Sequence, residues 1–218
     1  MDWLSLDLLP PLLKGLKITL LLTVISIVVA FCFALLAGLG RLSRFAIVRA
    51  IMSTYVEIFR GTSLLIQLFW IYFALPMLLD VRLSAMTAAV IALGLNYGAY
   101  GSEVVRSSIL AVPKGQIEAS TALNMTPYQR MRRVIFPQAW VMMLPGFGNL
   151  QIELLKGTSL VYLITLADVT YQGMTLRSFD ISRTPAILAW LLILYFIASY
   201  TLTLIVRLSE RKVVKGRG

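Results

Sequence analysis

Residues 18–40, ITLLLTVISIVVAFCFALLAGLG, contain no charged side chain. A helix needs about 20 apolar residues to cross the roughly 30 Å hydrocarbon core of a bilayer, so this stretch predicts a transmembrane helix. Of the 218 residues in the whole chain, 59% are hydrophobic and 14% are charged, whereas soluble domains average about 45–50% and about 25%. A chain of this length cannot bury so much apolar surface in one soluble core, and the excess therefore predicts contact with membrane lipid.

Four more segments are long and apolar enough to span a membrane, at 51–79, 83–106, 138–167 and 184–206. We predict that segment 51–79 is one long helix. Segment 138–167 contains Pro145 beside two glycines, which predicts one bent helix. The expected fold is therefore an all-α membrane protein with about five transmembrane helices, forming one domain over residues 1–218.

Basic residues in the loops predict the orientation. The chain has 20 Lys and Arg against 10 Asp and Glu, a formal net charge of +10. Such an excess suits nucleic acid, but cytoplasmic loops of membrane proteins carry it as well, so no nucleic-acid partner is expected. The larger group of loop cations is Arg41, Arg44, Arg49, Lys114, Arg130, Arg132, Arg133, Arg207, Arg211, Lys212, Lys215 and Arg217. The smaller group is Lys14, Lys17, Arg82, Arg177 and Arg183. We predict that the larger group is cytoplasmic, with the N-terminus outside and the C-terminus inside.

Several function classes are disfavoured by residues that the chain lacks. It has one cysteine, Cys32, and no histidine, so an internal disulfide, a thiolate metal cluster and the usual metal ligand are not expected. It has neither a Gly-x-x-x-x-Gly-Lys-Ser/Thr phosphate loop nor a Gly-x-Ser-x-Gly nucleophile elbow. We therefore predict no catalytic residues and no metal site, and active transport would need energy from another polypeptide. Because Met1-Asp2-Trp3 carries no basic residue, the first span is expected to stay uncleaved.

The polar segment 111–137 is predicted to form two short helices. Residues 118–123 favour a helix, and Asn124 suits the left-handed position that ends one. Thr126 and Gln129 then have the spacing of a capping box for a second helix. On these features alone, the segment is either a docking element or an ordinary surface loop.

The same segment resembles the EAA motif of ABC-importer permeases, Glu-Ala-Ala, three residues, Gly, nine residues, Ile-x-Leu-Pro. The matching residues are Glu118-Ala119-Ser120, Asn124 and Val134-Ile135-Phe136-Pro137. The spacing is kept, with departures at Ser120, Asn124, Val134 and Phe136. The resemblance implies a type I ABC-importer permease fold in which this loop docks into a cleft of a cytoplasmic ATPase. The coupling residues that it implies are Gln116, Glu118, Ala119, Ser120, Leu123, Asn124, Met125 and Pro137.

Further blocks resemble the polar-amino-acid subgroup of these permeases: EIFRGTSLLIQ at 57–67, YGAY at 97–100, VPKGQ at 112–116 and LKGTSL at 155–160. Within it, ALNMTP at 122–127 and IELLKGT at 152–158 look most like the EhuC-type permeases for ectoine and hydroxyectoine. The resemblance implies a multi-pass protein of the bacterial inner membrane that binds no cofactor itself, with ATP and Mg²⁺ held by an ATPase dimer. It also implies an identical or paralogous second permease and an extracytoplasmic solute-binding protein.

Three acid–base pairs lie within or at the ends of the predicted spans: Glu57/Arg60, Glu103/Arg106 and Glu153/Lys156. Each acid stands three residues before its base, so the two share a helix face. Pairing lowers the cost of inserting charge, roughly 2.5–3.5 kcal/mol per ionised residue at mid-span, and all six are candidates either for structural pairing or for the solute pathway. Glu153 and Lys156 are expected near mid-membrane, where one acid and one base suit a zwitterionic solute.

Segments 57–64 and 153–160 share the pattern Glu-x-x-(Arg/Lys)-Gly-Thr-Ser-Leu. A parallel internal repeat explains this pattern, and so does independent use of small residues for close helix contact. We favour the second explanation because the two copies are expected at different depths in the membrane.

Segment 168–183 is too polar to span and is predicted to be an external loop or a short helix. It either receives a loaded binding protein or is a solvated loop without a partner. The competing functions for the chain are an ion-coupled secondary amino-acid transporter, which leaves the EAA loop unexplained, and an intramembrane enzyme, for which the sequence offers no catalytic cluster.

Overall fold

The computed structural model describes residues 6–215, and the regular structure within that range is helical. The α-helices are α1 Leu9–Gly40, α2 Ala46–Gly61, α3 Leu64–Phe69, α4 Leu75–Leu79, α5 Ala85–Leu110, α6 Lys114–Ala122, α7 Pro127–Arg130, α8 Phe136–Gly157, α9 Val169–Phe179 and α10 Thr184–Lys215. Short 3₁₀ or π-helical segments are Leu6–Leu8, Trp70–Ala74, Met131–Ile135, Thr158–Ile164 and Ile181–Arg183. Met1–Trp3 and Arg217, which entered the predictions on cleavage and orientation, lie outside the described residues, as do the side chains of Arg211, Lys212 and Lys215.

Helices α1 and α5 pack side by side in the same direction. Gly94 lies against Val29, and further along both helices Val105 lies against Gly38. A Cβ atom on either glycine would come within 2.6 Å of the facing valine. The missing side chains therefore allow the close approach of the two backbones that small residues provide in membrane bundles.

Helix α8 runs in the opposite direction and packs against both α5 and α10. Gly146 lies against Val104 of α5, and Gly148 lies against Val206 of α10. The C-terminal ends of α1, α5 and α10 and the start of α8 are therefore at one end of the bundle. The loops with the larger group of predicted cations lie at this end. Which end faces the cytoplasm stays a prediction.

Two helical stretches within residues 6–215 are long and apolar enough to cross a membrane, Leu9–Gly40 and Ile181–Leu208. A third crossing is added if the pair Ala46–Gly61 and Leu64–Leu79 counts as one span. Helices α5 and α8, with 26 and 22 residues, have the required length but are not apolar enough to join these stretches. The total of five spans stays a prediction.

The prediction of one long helix over 51–79 is wrong. The helical stretch Leu64–Leu79, which begins with α3, is bent by 106° from α2. The backbone is extended at Thr62 (φ −119°, ψ 156°) and at Ser63 (φ −71°, ψ 133°). Gln67 stabilises the break. Its side-chain amide donates hydrogen bonds to the carbonyl oxygens of Phe59 and Thr62, at 2.9 and 3.3 Å. These carbonyl groups have no helical partner because α2 ends here.

Helix α8 continues through Pro145 and ends at Gly157, where the chain tightens into a 3₁₀ segment that stops at Thr165 in the left-handed region (φ 62°). The polar segment after it forms the short helix α9, one of the two predicted alternatives. This helix is packed rather than solvated, since Val169 is fully buried and the backbone of Asp168 lies against Gly15 of α1.

Candidate functional site

The end of α6 has the backbone geometry that Asn124 predicts. Asn124 is in the left-handed region at φ 52°. Its N–H donates to the Thr121 carbonyl at 2.9 Å, and the N–H of Met125 donates to the Ser120 carbonyl at 3.1 Å. This pair of bonds is a Schellman motif, and it turns the chain tightly towards α7.

The predicted capping box is confirmed. Gln129 N–H donates to the Thr126 hydroxyl at 3.3 Å, and Thr126 N–H donates to Gln129 Oε1 at 3.0 Å. Arg130 also donates to the Thr121 hydroxyl at 2.7 Å. The two short helices are therefore fixed relative to each other by bonds within this loop.

The loop presents an apolar tip at one end of the bundle. Leu123 is 72% exposed and Tyr128 is 70% exposed. Among the other predicted coupling residues, the exposed ones are Gln116, Glu118, Ala119 and Asn124, the half-buried ones are Met125 and Pro137, and the buried one is Ser120. A rigid turn with exposed apolar side chains is suited to docking in a cleft of another protein.

Glu103 is the centre of a charge cluster that joins three helices. Its carboxylate lies 2.7 Å from Arg41 at the end of α1, 3.7 Å from Arg60 on α2 and 3.2 Å from Arg106 on α5. The guanidinium group of Arg60 also lies 5.4 Å from the ring centre of Tyr100. Three cations share one carboxylate, so the cluster is net positive.

Only one of the three predicted pairs forms. Glu103 and Arg106 make an ion pair, but within residues 6–215 no ion pair joins Glu57 to Arg60 or Glu153 to Lys156. Arg60 instead contacts Glu103, which reaches it from the neighbouring helix. Structural self-pairing is therefore wrong for the first and third pairs, and Glu57, Glu153 and Lys156 remain exposed.

The C-terminal ends of α2 and α8 meet two consecutive residues of α5. Asn96 Nδ2 donates to the Phe59 carbonyl at 3.1 Å, and Tyr97 Oη donates to the Glu153 carbonyl at 2.9 Å. Because consecutive residues of a helix differ by only about 1.5 Å along its axis, the two helix ends are held by neighbouring positions of α5. The difference in membrane depth between segments 57–64 and 153–160 stays a prediction, and an internal repeat and independent use of small residues both still explain the shared pattern.

Lys156 lies on a different side of α8 from the Tyr97 contact. It lines a groove of about 750 Å³ between α8, α9 and α10. At one end of this groove, Tyr195 and Thr170 share a hydrogen bond of 2.9 Å, and the Tyr195 hydroxyl also donates to the buried Asp168 at 3.3 Å. Asp168 in turn caps α9 by accepting from the N–H of Tyr171 at 2.8 Å.

Reasoning from the sequence missed the roles of four polar residues in this region: Arg41, Gln67, Asn96 and Asp168. Gln67 and Asn96 are 8% and 4% exposed and hydrogen-bond each other at 3.0 Å. The available signal was a polar side chain inside an apolar stretch, since buried amides need partners. Partners from distant parts of the chain cannot be assigned from spacing.

At the opposite end of the bundle, the segment after α9 is held by exposed polar contacts. The Ser182 hydroxyl donates to Asp180 at 2.5 Å and holds the pKa of that carboxyl below its usual value. Arg183 donates a hydrogen bond to Asp7 at 2.6 Å. Within residues 6–215, no group of three His, Cys, Asp or Glu residues is placed to hold a metal ion.

Comparison with known proteins identifies the family. The family model described as "binding-protein-dependent transport system inner membrane component" matches residues 30–215. A probable amino-acid ABC transporter permease of Sinorhizobium fredii, y4tF, is 45% identical over the whole chain and 92% of its own length. The L-cystine transport permease TcyB of Bacillus subtilis is 37% identical over 94% of the chain and 87% of its own.

A solved structure gives the same result for the fold. A chain of an amino-acid ABC transporter crystallised with histidines superposes with a TM-score of 0.86 at 35% identity, covering 93% of this chain and 94% of its own. The chain therefore belongs to the family of binding-protein-dependent transport system inner membrane components and is the permease subunit of an ABC amino-acid importer.

Proposed function

We propose that this permease crosses the bacterial inner membrane five times and moves a polar or zwitterionic amino acid into the cell. Its energy comes from a cytoplasmic ATPase dimer that holds ATP and Mg²⁺, and an extracytoplasmic binding protein delivers the solute. A second permease, identical or paralogous, completes the pathway. The observation that carries this proposal is the rigid turn at Asn124 with the exposed Leu123 beside it, at the end of the bundle that bears the larger group of loop cations.

Each part of segment 111–137 has its own role in the coupling step. The Schellman motif and the capping box keep α6 and α7 in one orientation. A push from the ATPase on this loop is therefore transmitted to α5 and α8, which flank it directly in the chain. Gln116, Glu118, Ala119, Leu123, Asn124 and Met125 would contact the ATPase, while Ser120 and Pro137 would support them from the bundle side.

We propose that the solute pathway runs past the ends of α2 and α8. Discontinuous helices near the bilayer midplane form the binding sites of many transporters, because their ends carry partial charge. A helix C-terminus is partly negative, and the exposed carboxylates of Glu57 and Glu153 add to that charge. This combination suits the ammonium group of an amino acid. Arg60, Glu103 and Arg106 would form the section of the pathway nearer the coupling loop.

The identity of the solute within this class is the most specific part of the proposal. Relatives include permeases named for L-cystine, glutamine and arginine, all polar amino acids. The blocks at 122–127 and 152–158 keep ectoine and hydroxyectoine as candidates, since these compounds are also zwitterionic.

Uptake by the reconstituted complex tests the function. The permease, its ATPase and its binding protein are placed in liposomes and given labelled cystine, glutamine, histidine, arginine or ectoine. Uptake of at least one solute is expected to require ATP and to persist with a protonophore. Uptake that is independent of ATP and stops with the protonophore would instead favour the ion-coupled secondary transporter.

Docking is tested by two matched substitutions of exposed apolar residues. Leu123→Asp is expected to abolish recovery of the ATPase with the tagged permease, because a charge replaces the apolar tip. Val81→Asp, at a 42% exposed residue between α4 and α5 at the opposite end of the bundle, is expected to leave recovery unchanged. Equal recovery with both variants would refute the docking role of the loop.

A further inference from the structure

The corner between α1 and α2, residues 41–51, carries three arginines and no acidic residue. Arg41 contacts the carboxylate of Glu103 at 2.7 Å. Arg44 and Arg49 are exposed, and they form no ion pair within residues 6–215. The corner therefore presents two positive charges that the described part of the chain does not neutralise.

The guanidinium groups of these two arginines lie at the same turn, residues 43–45. The guanidinium group of Arg44 lies 4.9 Å from the ring centre of Phe45. Arg49 is in the first turn of α2, but its side chain reaches back and donates to the Ser43 carbonyl oxygen at 3.2 Å. The N–H of Phe45 donates to the Ser43 hydroxyl, also at 3.2 Å, and closes the turn. Both charges are therefore gathered at one point of the surface.

This turn is expected at the edge of the hydrocarbon core. Residues 18–40 of α1 carry no charge and extend about 35 Å as a helix, against a core of about 30 Å. Gly38 lies against Val105 of α5, so α1 ends about 5 Å before the level at which α5 ends, at Leu110. The turn is therefore nearer the bilayer than segment 111–137, which begins after α5.

Exposed apolar side chains lie directly beside the two charges. Phe45, Ile47 and Ile51 are each more than half exposed. Because Ile47 and Ile51 are four residues apart, they share one face of α2, and α2 leads from the turn back along the bundle. A charged turn followed by an exposed apolar face matches a phospholipid, whose headgroup stays at the membrane surface while its acyl chains enter the core.

We propose that this corner binds an anionic phospholipid. Arg44 and Arg49 bind its phosphate, and the exposed apolar side chains contact its acyl chains. Guanidinium groups form charge-assisted hydrogen bonds with phosphate oxygens, and basic residues beside a membrane span attract anionic lipids. The inference goes beyond the proposed function and requires only that α1 spans the membrane.

The test compares two phospholipids that differ only in their headgroups. The detergent-solubilised permease–ATPase complex is titrated with phosphatidylglycerol or with phosphatidylcholine of the same acyl chains, and native mass spectrometry counts the bound molecules. Phosphatidylglycerol carries a net negative charge, whereas phosphatidylcholine is neutral overall, so the wild-type complex is expected to bind phosphatidylglycerol more tightly. Glycerophosphoglycerol, which is the same headgroup without acyl chains, is expected not to compete.

Matched double variants locate the site. Arg44→Gln/Arg49→Gln is expected to weaken phosphatidylglycerol binding by about 30-fold, since each basic residue at an anionic surface contributes about fivefold. Arg82→Gln/Arg177→Gln removes two exposed arginines at the opposite end of the bundle and is expected to leave the affinity unchanged. Arg44→Lys/Arg49→Lys keeps both charges and is expected to retain most of the affinity.

Each other outcome overturns the inference. Unchanged affinity in Arg44→Gln/Arg49→Gln would reject the corner as the site, and an equal loss in both glutamine double variants would indicate a general effect of net charge. Equal binding of the two phospholipids would reject an anionic ligand. Competition by glycerophosphoglycerol would indicate a site for a soluble phosphate. Separation of the two permease subunits by Arg44→Gln/Arg49→Gln would assign the corner to a protein interface.

Discussion

The helix end at residues 57–64 and the helix end at 153–160 have nearly the same sequence, yet the chain leaves them in different ways. After Gly61 the backbone becomes extended and the helical stretch Leu64–Leu79 departs at 106°. After Gly157, Thr158 stays helical (φ −61°, ψ −21°), and a 3₁₀ segment continues to Ile164. The shared Gly-Thr-Ser-Leu therefore permits a helix to end but does not set the direction in which the chain continues.

Residues outside the motif account for the difference. At the first end, Gln67 donates to the carbonyl of Phe59 and, at 2.7 Å, to the Thr62 hydroxyl. At the second end, Thr158 is fully buried and its hydroxyl donates to the Leu155 carbonyl at 2.7 Å. The end of α2 is thus held in an open bend by an amide from the next helix. The end of α8 instead continues in a helical direction because its own last turn binds Thr158.

The largest expected effect comes from removing the amide at the first end. Gln67→Leu keeps the volume of the buried side chain but leaves the Thr62 carbonyl without its donor, so the free energy of unfolding should fall by about 2–3 kcal/mol. The 106° bend should also open. Spin labels at the exposed positions 50 and 78 measure the bend, and denaturation of the purified protein measures the stability.

Gln151→Leu is the matched control near the end of α8. It makes the same chemical change, but the Gln151 side chain has no hydrogen bond within residues 6–215 to lose. It should leave the label distance unchanged. A Gln67→Leu variant with the wild-type distance would show that the bend does not depend on this amide.

The next effect separates the two motif glycines. A Cβ at Gly157 would lie 2.5 Å from the Tyr97 hydroxyl, whereas a Cβ at Gly61 meets nothing within 4 Å. Gly157→Ala should therefore lower stability by about 1–2 kcal/mol through overpacking, and Gly61→Ala should change it by less than about 0.5 kcal/mol. The melting temperatures of the two variants, measured side by side, check this expectation, and equal shifts would contradict it.

A smaller effect is expected at the hydrogen bond that supports the second end. Tyr97→Phe keeps the ring against Gly157 but removes the donor to the Glu153 carbonyl, at a cost of about 1 kcal/mol. Tyr72→Phe is the matched control, because the Tyr72 hydroxyl makes no hydrogen bond within the described residues. Both values come from the same melting experiment, and a control that loses as much as Tyr97→Phe would reject the role of this bond.

The smallest effect concerns a third helix end, at Asn124, which the chain closes with its own backbone. Asn124→Gly should raise stability by about 0.5–1 kcal/mol, since glycine adopts the left-handed region without steric cost. Asn124→Ala should lower it by a similar amount. Because the Asn124 turn shares no residue with the ends of α2 and α8, its change in stability should add to the change caused by Tyr97→Phe. Non-additivity in the double variant would show that the loop and the helix ends are coupled.

These three ends also show which features can be predicted from sequence. Asn124, Thr126 and Gln129 were predicted correctly because their partners lie within a few residues, where spacing decides the geometry. The bend at Thr62 was missed because spacing alone does not show that Gln67 turns back to Phe59 and Thr62, and because Gln67 is itself held by Asn96, 29 residues away. A local pattern cannot contain such a contact.

The same difference between nearby and distant partners applies to the charged residues of the candidate site. The spacing predicted a pair between Glu103 and Arg106, and it forms. The same spacing gave the wrong partner for Arg60, because Glu103 offers it a carboxylate from α5 while Glu57 faces outward. Arg41 was counted only as a loop cation, and its 2.7 Å contact with Glu103 depends on the parallel packing of α1 and α5.

The adjacency of Asn96 and Tyr97 has a mechanical consequence. A single helix holds the ends of two others through consecutive residues, so sliding or rotating α5 strains both hydrogen bonds together. Helices α2, α5 and α8 are therefore expected to move as one rigid body. Alternating exposure of the pathway would then come from whole subunits tilting against each other, with the interior of each subunit unchanged through the cycle.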